Sequence, residues 1–421
     1  MSVRKPHNDR WHIMITDKQR QSAMRFVLLT VFIYSVGFGI IMPVLPELIQ
    51  ELEGVSLSEA TLLGGFISAS YALFQFLMGP LVGNLGDRFG RRPVFLVSLL
   101  AFGIDFALMG FATSIVWLFI GRSIAGGLGA IFGPANAAMA DMSSDEDRAK
   151  SFGLVGAAFG IGFIVGPALG GFLGDFGTRI PFFVAGGLAF LNFLYGWFAF
   201  PETMAPEEKR SFEWKRANPL GALLNLGKLP NLLGVAMIYF LWMLSSSIYP
   251  ASWSFFAPAQ YGWDSKMVGL SLTCVGLSMA LVQAFLIGRF VEKIGERKTA
   301  IFGIFVAVVI FAFYVLVDVG WVAISLCLVV GLQGMAMPSI NAMMSRRTPS
   351  NMQGELQGFN GSMAALAALI APLLYNGSLS YFTSDAAPFR FVGAPFVIAA
   401  IVGLIPLILL MIIKPAPDYK G

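Results

Sequence analysis

Residues 79–92 read GPLVGNLGDRFGRR, and residues 288–297 read GRFVEKIGER. In each stretch a glycine is followed four positions on by an acid, and three positions later by another glycine. The triplets are Gly83, Asp87, Gly90 and Gly288, Glu292, Gly295. From Gly83 to Gly288 the offset is 205 residues, and the same offset carries Gly153 onto Gly358. A repeat of that period in a 421-residue chain divides it into two halves of like build.

The surroundings of these loops are apolar. Hydrophobic residues make up 57% of the chain and charged residues 12%, and the mean hydropathy is +0.74. Soluble domains carry about 25% charged residues, so this composition excludes a soluble enzyme, a disordered protein and a nucleic-acid binder. The two cysteines, Cys274 and Cys327, lie in apolar runs and offer neither a disulfide framework nor a metal cluster. His7 and His12 sit in the polar N-terminal tail, away from the apolar body.

About 20 apolar residues span a bilayer core as a helix. Twelve stretches qualify, at roughly 25–49, 59–84, 92–112, 115–140, 152–174, 181–200, 231–256, 267–290, 298–317, 321–344, 355–377 and 392–413. Their Gly and Phe content suits membrane helices rather than barrel strands. The first has no small-residue cleavage site near its end and reads as a retained helix. Lys and Arg concentrate in the N-terminal tail, the even-numbered connections and the C-terminus, whereas the odd-numbered connections hold Arg179, Lys266 and Arg390. This asymmetry places both termini in the cytoplasm and requires an even number of crossings. The expected organisation is an N-terminal tail (1–24), a six-helix bundle (25–200), a cytoplasmic linker (201–230), a second six-helix bundle (231–413) and a short tail (414–421). Within the linker, Trp214 and residues 220–226 read either as a segment lying on the membrane surface or as a solvated tether. In transporters, parallel halves of this kind rock against each other about a midplane site.

Charges within apolar stretches are rare. Asp105 falls about seven residues before the outer end of the third stretch, and Arg122 about seven after the outer start of the fourth. At 1.5 Å per residue both are roughly 10 Å deep and can meet. A lone Asp or Arg at a helix centre costs about 2.5–3.5 kcal/mol on insertion scales, so each accounts for the other. Two readings stay open: a proton relay, in which Arg122 keeps Asp105 ionised until the two separate, and a static structural pair. In the fifth stretch, Gly162, Gly166, Gly170 and Gly174 recur every four residues, giving one face on which helices approach closely, and Pro167 adds a kink. Gln75, Asn136, Gln283, Gln333 and Asn341 are candidate cavity residues. Tyr34, Phe66, Tyr71, Phe74, Tyr239, Trp242, Tyr249 and Trp253 would give an apolar, adaptable wall.

The 79–92 loop resembles the signature loop of the major facilitator superfamily, and residues 156–171, GAAFGIGFIVGPALGG, resemble the antiporter motif of its drug/proton exchangers. Within that group the chain is similar to tetracycline/proton antiporters, through GIIMPVLP at 39–46, IGRSIAG at 120–126, GERK at 295–298 and QGELQG at 353–358. The resemblance implies an all-α membrane fold of twelve helices in two pseudo-symmetric bundles, embedded in the bacterial inner membrane as a monomer, without cofactor or metal. It implies export of an amphipathic small molecule, tetracycline-like or multidrug, in exchange for protons. Asp105 and Arg122 would couple the protons; Gly162, Gly166, Pro167, Gly170 and Gly171 would form the antiporter motif; Tyr34, Gln75, Asn136, Tyr239, Trp242, Gln283, Gln333 and Asn341 would line the cavity. Gly83, Asp87, Arg88, Gly90, Arg91 and Asp141 would form a latch, with Asp87 facing the N-terminus of the eleventh helix. Three positions depart from the tetracycline pattern: Tyr34 replaces an acid, Met279 a histidine and Ala307 an aspartate. Their loss argues against a metal-chelated drug and for a neutral, cationic or zwitterionic solute. The other reading is a facilitator or importer of an endogenous metabolite or lipid, with no proton exchange.

Asp87→Asn is expected to abolish transport without lowering expression. Full efflux in that variant would remove the latch from the account.

Overall fold

The computed structural model describes residues 16–129, 131–144, 147–212, 232–349 and 352–413. Most of the expected linker, 213–231, and the 414–421 tail lie outside the described residues. The described residues form helices and no strand. In chain order, the first half contains α1 (Asp17–Glu53), α2 (Leu57–Phe89), α3 (Arg91–Gly110), α4 in two pieces (Ile115–Leu128 and Phe132–Asp141), α5 (Arg148–Gly174) and α6 (Ile180–Ala199). The second half starts with α7, also in two pieces (Leu233–Ser246 and Ile248–Tyr261). A run from Ser265 to Leu316 follows, then α10 (Gly320–Val329 and Ala336–Ser345, joined by a tight turn at Val330–Met335), α11 (Gln353–Thr383) and α12 (Ala394–Ile412).

Eleven helical runs are long and apolar enough to cross a membrane, and the Ser265–Leu316 run has 52 residues. A straight helix of that length would measure about 78 Å, more than twice a hydrocarbon core of about 30 Å. Gly295 divides it, leaving helical geometry at φ 78°, ψ 162°. The pieces 265–294 and 296–316 are therefore two helices, α8 and α9, and the described residues hold twelve helices in the places of the twelve expected stretches. Helix ends outrun the apolar stretches because polar caps extend them. Thr16 with Gln19, and Ser56 with Glu59, form reciprocal capping boxes at the starts of α1 and α2.

The repeat is visible in backbone and side chains alike. Gly90 has φ 105°, ψ 170°, the same glycine-only region as Gly295. Two residues beyond each, an arginine reaches the C-terminal carbonyls of the last helix in its own half. Arg92 Nη2 donates to Trp197 O at 2.6 Å, and Arg297 Nε and Nη2 donate to Leu410 O and Met411 O, each at 2.7 Å. A cation there satisfies orphan carbonyls and complements the helix dipole. The residues between carry opposite signs in the two halves. Arg91 pairs with Asp141 at 3.0 Å, whereas Glu296 pairs with Arg346 at 2.9 Å; each partner lies 205 positions from its counterpart. Glu202 locks the first copy, accepting from the amides of Arg91 (2.8 Å), Arg92 (3.3 Å) and Thr203 (3.0 Å). The start of the linker is thus fastened to the loop, with Arg210 N donating to Asp87 O at 3.0 Å.

Arg88, Arg91, Arg92, Lys293, Arg297 and Lys298 make one end of the bundle its basic end; Glu47, Glu51, Asp175 and Asp264 lie at the opposite end. At the opposite end the halves touch. Glu47 accepts from Ser265 N (3.2 Å), Ser58 donates to Ser380 O (2.6 Å), and Lys266 pairs with Asp175 (3.2 Å). A Cβ on Gly65 of α2 would meet Pro372 O of α11 at 3.0 Å, and one on Gly171 of α5 would meet Gly269 Cα of α8 at 3.2 Å. Eighteen residues is five helical turns, so Gly83 shares a face with Gly65, and Gly153 with Gly171. Around Gly83 and Gly153 no atom of another described helix lies within 4 Å of that position. The same two helix faces are tight at the opposite end and open at the basic end, so the halves splay toward the basic end.

Alanine at Gly90 or Gly295 should cost about 1–3 kcal/mol of backbone strain. At Gly90 the added methyl would also run into the Glu202 carboxylate, whereas Gly295 has open space. Thermal unfolding of the purified variants should therefore rank Gly90→Ala below Gly295→Ala, and equal melting temperatures would contradict this.

Candidate functional site

Where the splayed faces converge they enclose a cavity of about 400 Å³. The first half supplies Tyr34, Phe38, Tyr71, Gln75, Arg122, Phe132, Phe159 and Phe163; α7 and α11 supply Ser247, Ser254, Phe255, Ala368 and Pro372, among others. The wall is mainly apolar and aromatic, with a few polar groups, as suits an amphipathic solute. Beside it, a smaller pocket bounded by Gln75, Gly79, Gly83 and Gly133 follows α2 toward the basic end.

Asp105 and Arg122 meet as the sequence predicts. Asp105 is 0% exposed and Arg122 5%. Arg122 Nε donates to Asp105 Oδ1 at 3.0 Å, and Nη2 is paired with Oδ2, so the guanidinium engages the carboxylate edge-on. A Cβ at Gly121 would come within 2.8 Å of Asp105 Oδ1, so a glycine before Arg122 makes room for the carboxylate. Arg122 lines the cavity and Asp105 does not. The Arg122 guanidinium carbon lies 5.4 Å from the centre of the Tyr71 ring, a cation–π distance. Tyr71 OH is 2.6 Å from Tyr34 OH, and Gln75 Nε2 approaches Tyr71 OH at 3.5 Å. A polar strip thus runs Gln75, Tyr71, Tyr34 beside Arg122.

The other predicted cavity residues lie elsewhere. Trp242 and Gln333 are buried inside the second half, and Tyr239 OH donates to Asn360 O at 3.4 Å. Asn341 Oδ1 accepts from Asn360 Nδ2 at 3.1 Å. Asn136 and Gln283 are exposed outside the cavity lining, Gln283 within a π-turn at Val282–Leu286. Phe66 and Phe74 are exposed too, while Tyr249 and Trp253 are buried in a ring cluster with Tyr314 and Phe396. Of the departures from the tetracycline pattern, Tyr34 faces the cavity; Ala307 is buried and Met279 partly buried, both off its lining. Sequence reasoning missed Ser247, Ser254 and the phenylalanines at 38, 132, 159, 163 and 255. Nothing distinguishes these from lipid-facing or packing residues in a chain this apolar.

The glycines of α5 divide between two partners. Gly162, Gly166 and Gly170 face α1: Cβ atoms there would meet Ser35 Cβ at 2.7 Å, Gly39 Cα at 2.8 Å and Ile40 Cα at 2.9 Å. This contact lies within the first half, not between halves. The contact between halves uses Gly171, which faces Ser265 O at 2.8 Å, and Gly174, which faces Ser265 Oγ at 2.9 Å. Pro167 packs on Gly39.

At the basic end Arg91 bridges two acids of its own half, Asp87 at 2.8 Å and Asp141 at 3.0 Å. Among the described residues, no hydrogen bond joins Asp87 to α11. Arg88 is exposed, stacked over Phe89. This follows from the splay, since Gly83, one turn before Asp87, stands clear of α11.

The sequence model for the Major Facilitator Superfamily matches residues 27–372 and 235–421. The chain is similar to the tetracycline resistance protein, class C, of Escherichia coli, at 35% identity over 354 residues, covering 84% of this chain and 88% of that protein. It is also similar to multidrug resistance protein 2 of Bacillus subtilis (strain 168), at 28% identity, covering 89% and 92% respectively. The crystal structure of the human organic anion transporter MFSD10 (TETRAN) has the same fold, with a TM-score of 0.70 at 22% identity over 93% of this chain and 99% of that one.

The two glycine faces of α5 should respond differently to bulk. Gly166→Val forces α1 and α5 apart and should lower the melting temperature in every conformation. Gly171→Val should leave folding largely intact but disfavour contact at the opposite end. A cysteine placed at Ser68, on the cavity wall, should then label faster with an impermeant maleimide applied from the opposite end. Unchanged labelling in Gly171→Val would contradict the assignment of that face.

Proposed function

The chain belongs to the major facilitator superfamily of membrane transporters, and from that premise we propose that it exports amphipathic small molecules, tetracycline-like or multidrug, in exchange for protons. The observation that carries this reading is the position of the cavity. It lies where two splayed helix faces converge, with a buried ion pair behind one wall. The excess of Lys and Arg at the basic end argues that this end faces the cytoplasm. A solute would then enter from the cytoplasm, between α2 and α11 and between α5 and α8. Rocking about the contacts at the opposite end would close the basic end, bringing the Gly83 face to α11 and Asp87 to that helix's N-terminus, where a carboxylate is favoured. Breaking Glu47–Ser265, Ser58–Ser380 and Lys266–Asp175 would open the far side.

Proton exchange is assigned to Asp105. Ionised, it holds Arg122 in place; protonated, it loosens the pair. The likeness to proteins named for tetracycline and multidrug resistance supports the substrate class, and the replaced positions Tyr34, Met279 and Ala307 argue against a metal-chelated drug. The burial of Asp105 behind Arg122 favours one alternative, a facilitator in which the pair is structural.

Proteoliposomes with an imposed proton gradient separate the two. Amphipathic drugs added to the native protein should evoke proton movement, and Asp105→Asn should abolish it. An Asp105→Asn/Arg122→Gln double variant removes both charges together, so loss of coupling there is not attributable to a buried unpaired arginine. Drug movement without proton flux in the native protein would establish the facilitator instead.

A further inference from the structure

The cavity meets the buried ion pair from one side, the arginine. Among its lining residues Arg122 is the one that carries a charge, and no carboxylate lines it. The polar strip beside it ends in two tyrosine hydroxyls and an amide. The pair with Asp105 occupies the Nε and Nη2 edge of the guanidinium. Nη1 has no hydrogen-bond acceptor among the described residues, although Arg122 reaches the cavity. Ser247 and Ser254 face this strip from α7, and Phe38, Phe132, Phe163 and Phe255 complete an apolar wall.

We infer that this cavity selects amphipathic solutes whose polar end presents hydrogen-bond-accepting oxygens, neutral or anionic, and not an ammonium group, with Arg122 Nη1 and the one O–H that the Tyr34–Tyr71 pair leaves free as the recognising donors. A guanidinium N–H and a hydroxyl donate to such an oxygen, whereas an ammonium finds no free carboxylate in the lining, because Asp105 lies behind Arg122 and both its oxygens are taken up by that guanidinium. This revises the neutral, cationic or zwitterionic class expected from the missing family carboxylates: the cavity lining supplies no acid in their place, so cations drop out and anions enter. The inference rests on reading this cavity as the transport site.

Asp105 acts here as a positioning residue. It never faces the solute, but while ionised it holds two guanidinium nitrogens and fixes the direction of the third. Protonation releases Arg122 and disperses the donor set, so the solute and the proton exclude one another without competing for one atom. That is the relation an exchanger requires.

The test is equilibrium binding to the purified full chain in detergent, followed by calorimetry. Three probes share one naphthyl body and differ in the polar end: a methyl ketone, a carboxylate and a primary amine. The ketone and the carboxylate should bind about tenfold or more tighter than the amine, the size of one charge-assisted hydrogen bond. Tyr34→Phe should weaken the ketone several-fold. Asp105→Asn should weaken it about tenfold although no cavity-lining atom is removed. If Asp105→Asn fails to fold, the Asp105→Asn/Arg122→Gln double variant should bind all three probes alike. Amine binding equal to or tighter than ketone binding would overturn the inference, as would a double variant that keeps the preference. Because no gradient is applied, the ketone preference can hold while proton-driven movement fails in liposomes, which would sink the exchange reading alone. Proton-driven export of the amine would do the reverse.

Discussion

Hydrocarbon offers a helix no reason to choose one apolar neighbour over another, so what sets this fold is how closely backbones can approach. Glycine decides that at each contact that matters. On α5 one run of glycines lets α1 lie against it within the first half, and the next position over, Gly171, meets Gly269 of α8 across the halves. On α2, Gly65 does the same against α11. Five turns along each helix, the same faces at Gly83 and Gly153 stand open. In the proposed rocking mechanism the open faces pack as the closed ones do here, so the halves have two packed arrangements with the cavity between them. Packed interfaces are bistable rather than continuously deformable, which is what a rocking transporter uses.

The polar end-structures show how the repeat was kept and varied. The positive-φ glycine and the arginine capping the last helix of each half recur unchanged, because both answer needs of the local backbone. The ion pair between them keeps its geometry but swaps its charges, Arg91–Asp141 against Glu296–Arg346. A pair needs opposite signs, not a particular order.

Much of this was legible in the sequence, for particular reasons. The 205-residue repeat was legible because glycine and acid at fixed spacing are rare in apolar sequence. The Asp105–Arg122 pair was legible because a charge at depth demands a partner. The azimuth of uncharged residues was not. In a soluble helix, apolar periodicity marks the buried face; in these helices lipid, core and cavity all accept phenylalanine. Tyr34 and Gln75 therefore fall on the cavity while Trp242, Tyr239 and Gln333 pack inside the second half. The role of Glu202 was hidden for another reason, since it lies in a polar stretch that reads as tether. The α8–α9 division was legible twice, as the charged gap between the stretches 267–290 and 298–317 and as the repeat of Gly90 at Gly295.

The account stands or falls on the two halves pivoting as bodies about their shared glycine faces. Electron–electron distance measurements in nanodiscs address it directly, with spin labels at Arg88 and Glu355 on the basic ends of α2 and α11 and, separately, at Glu59 and Tyr381 on their opposite ends. All four side chains are exposed. The account predicts two distance populations at each pair, moving in opposite senses when pH or solute is changed: as the basic ends approach, the opposite ends part. A single distance at both pairs under every condition, or changes of the same sign at both ends, would contradict it.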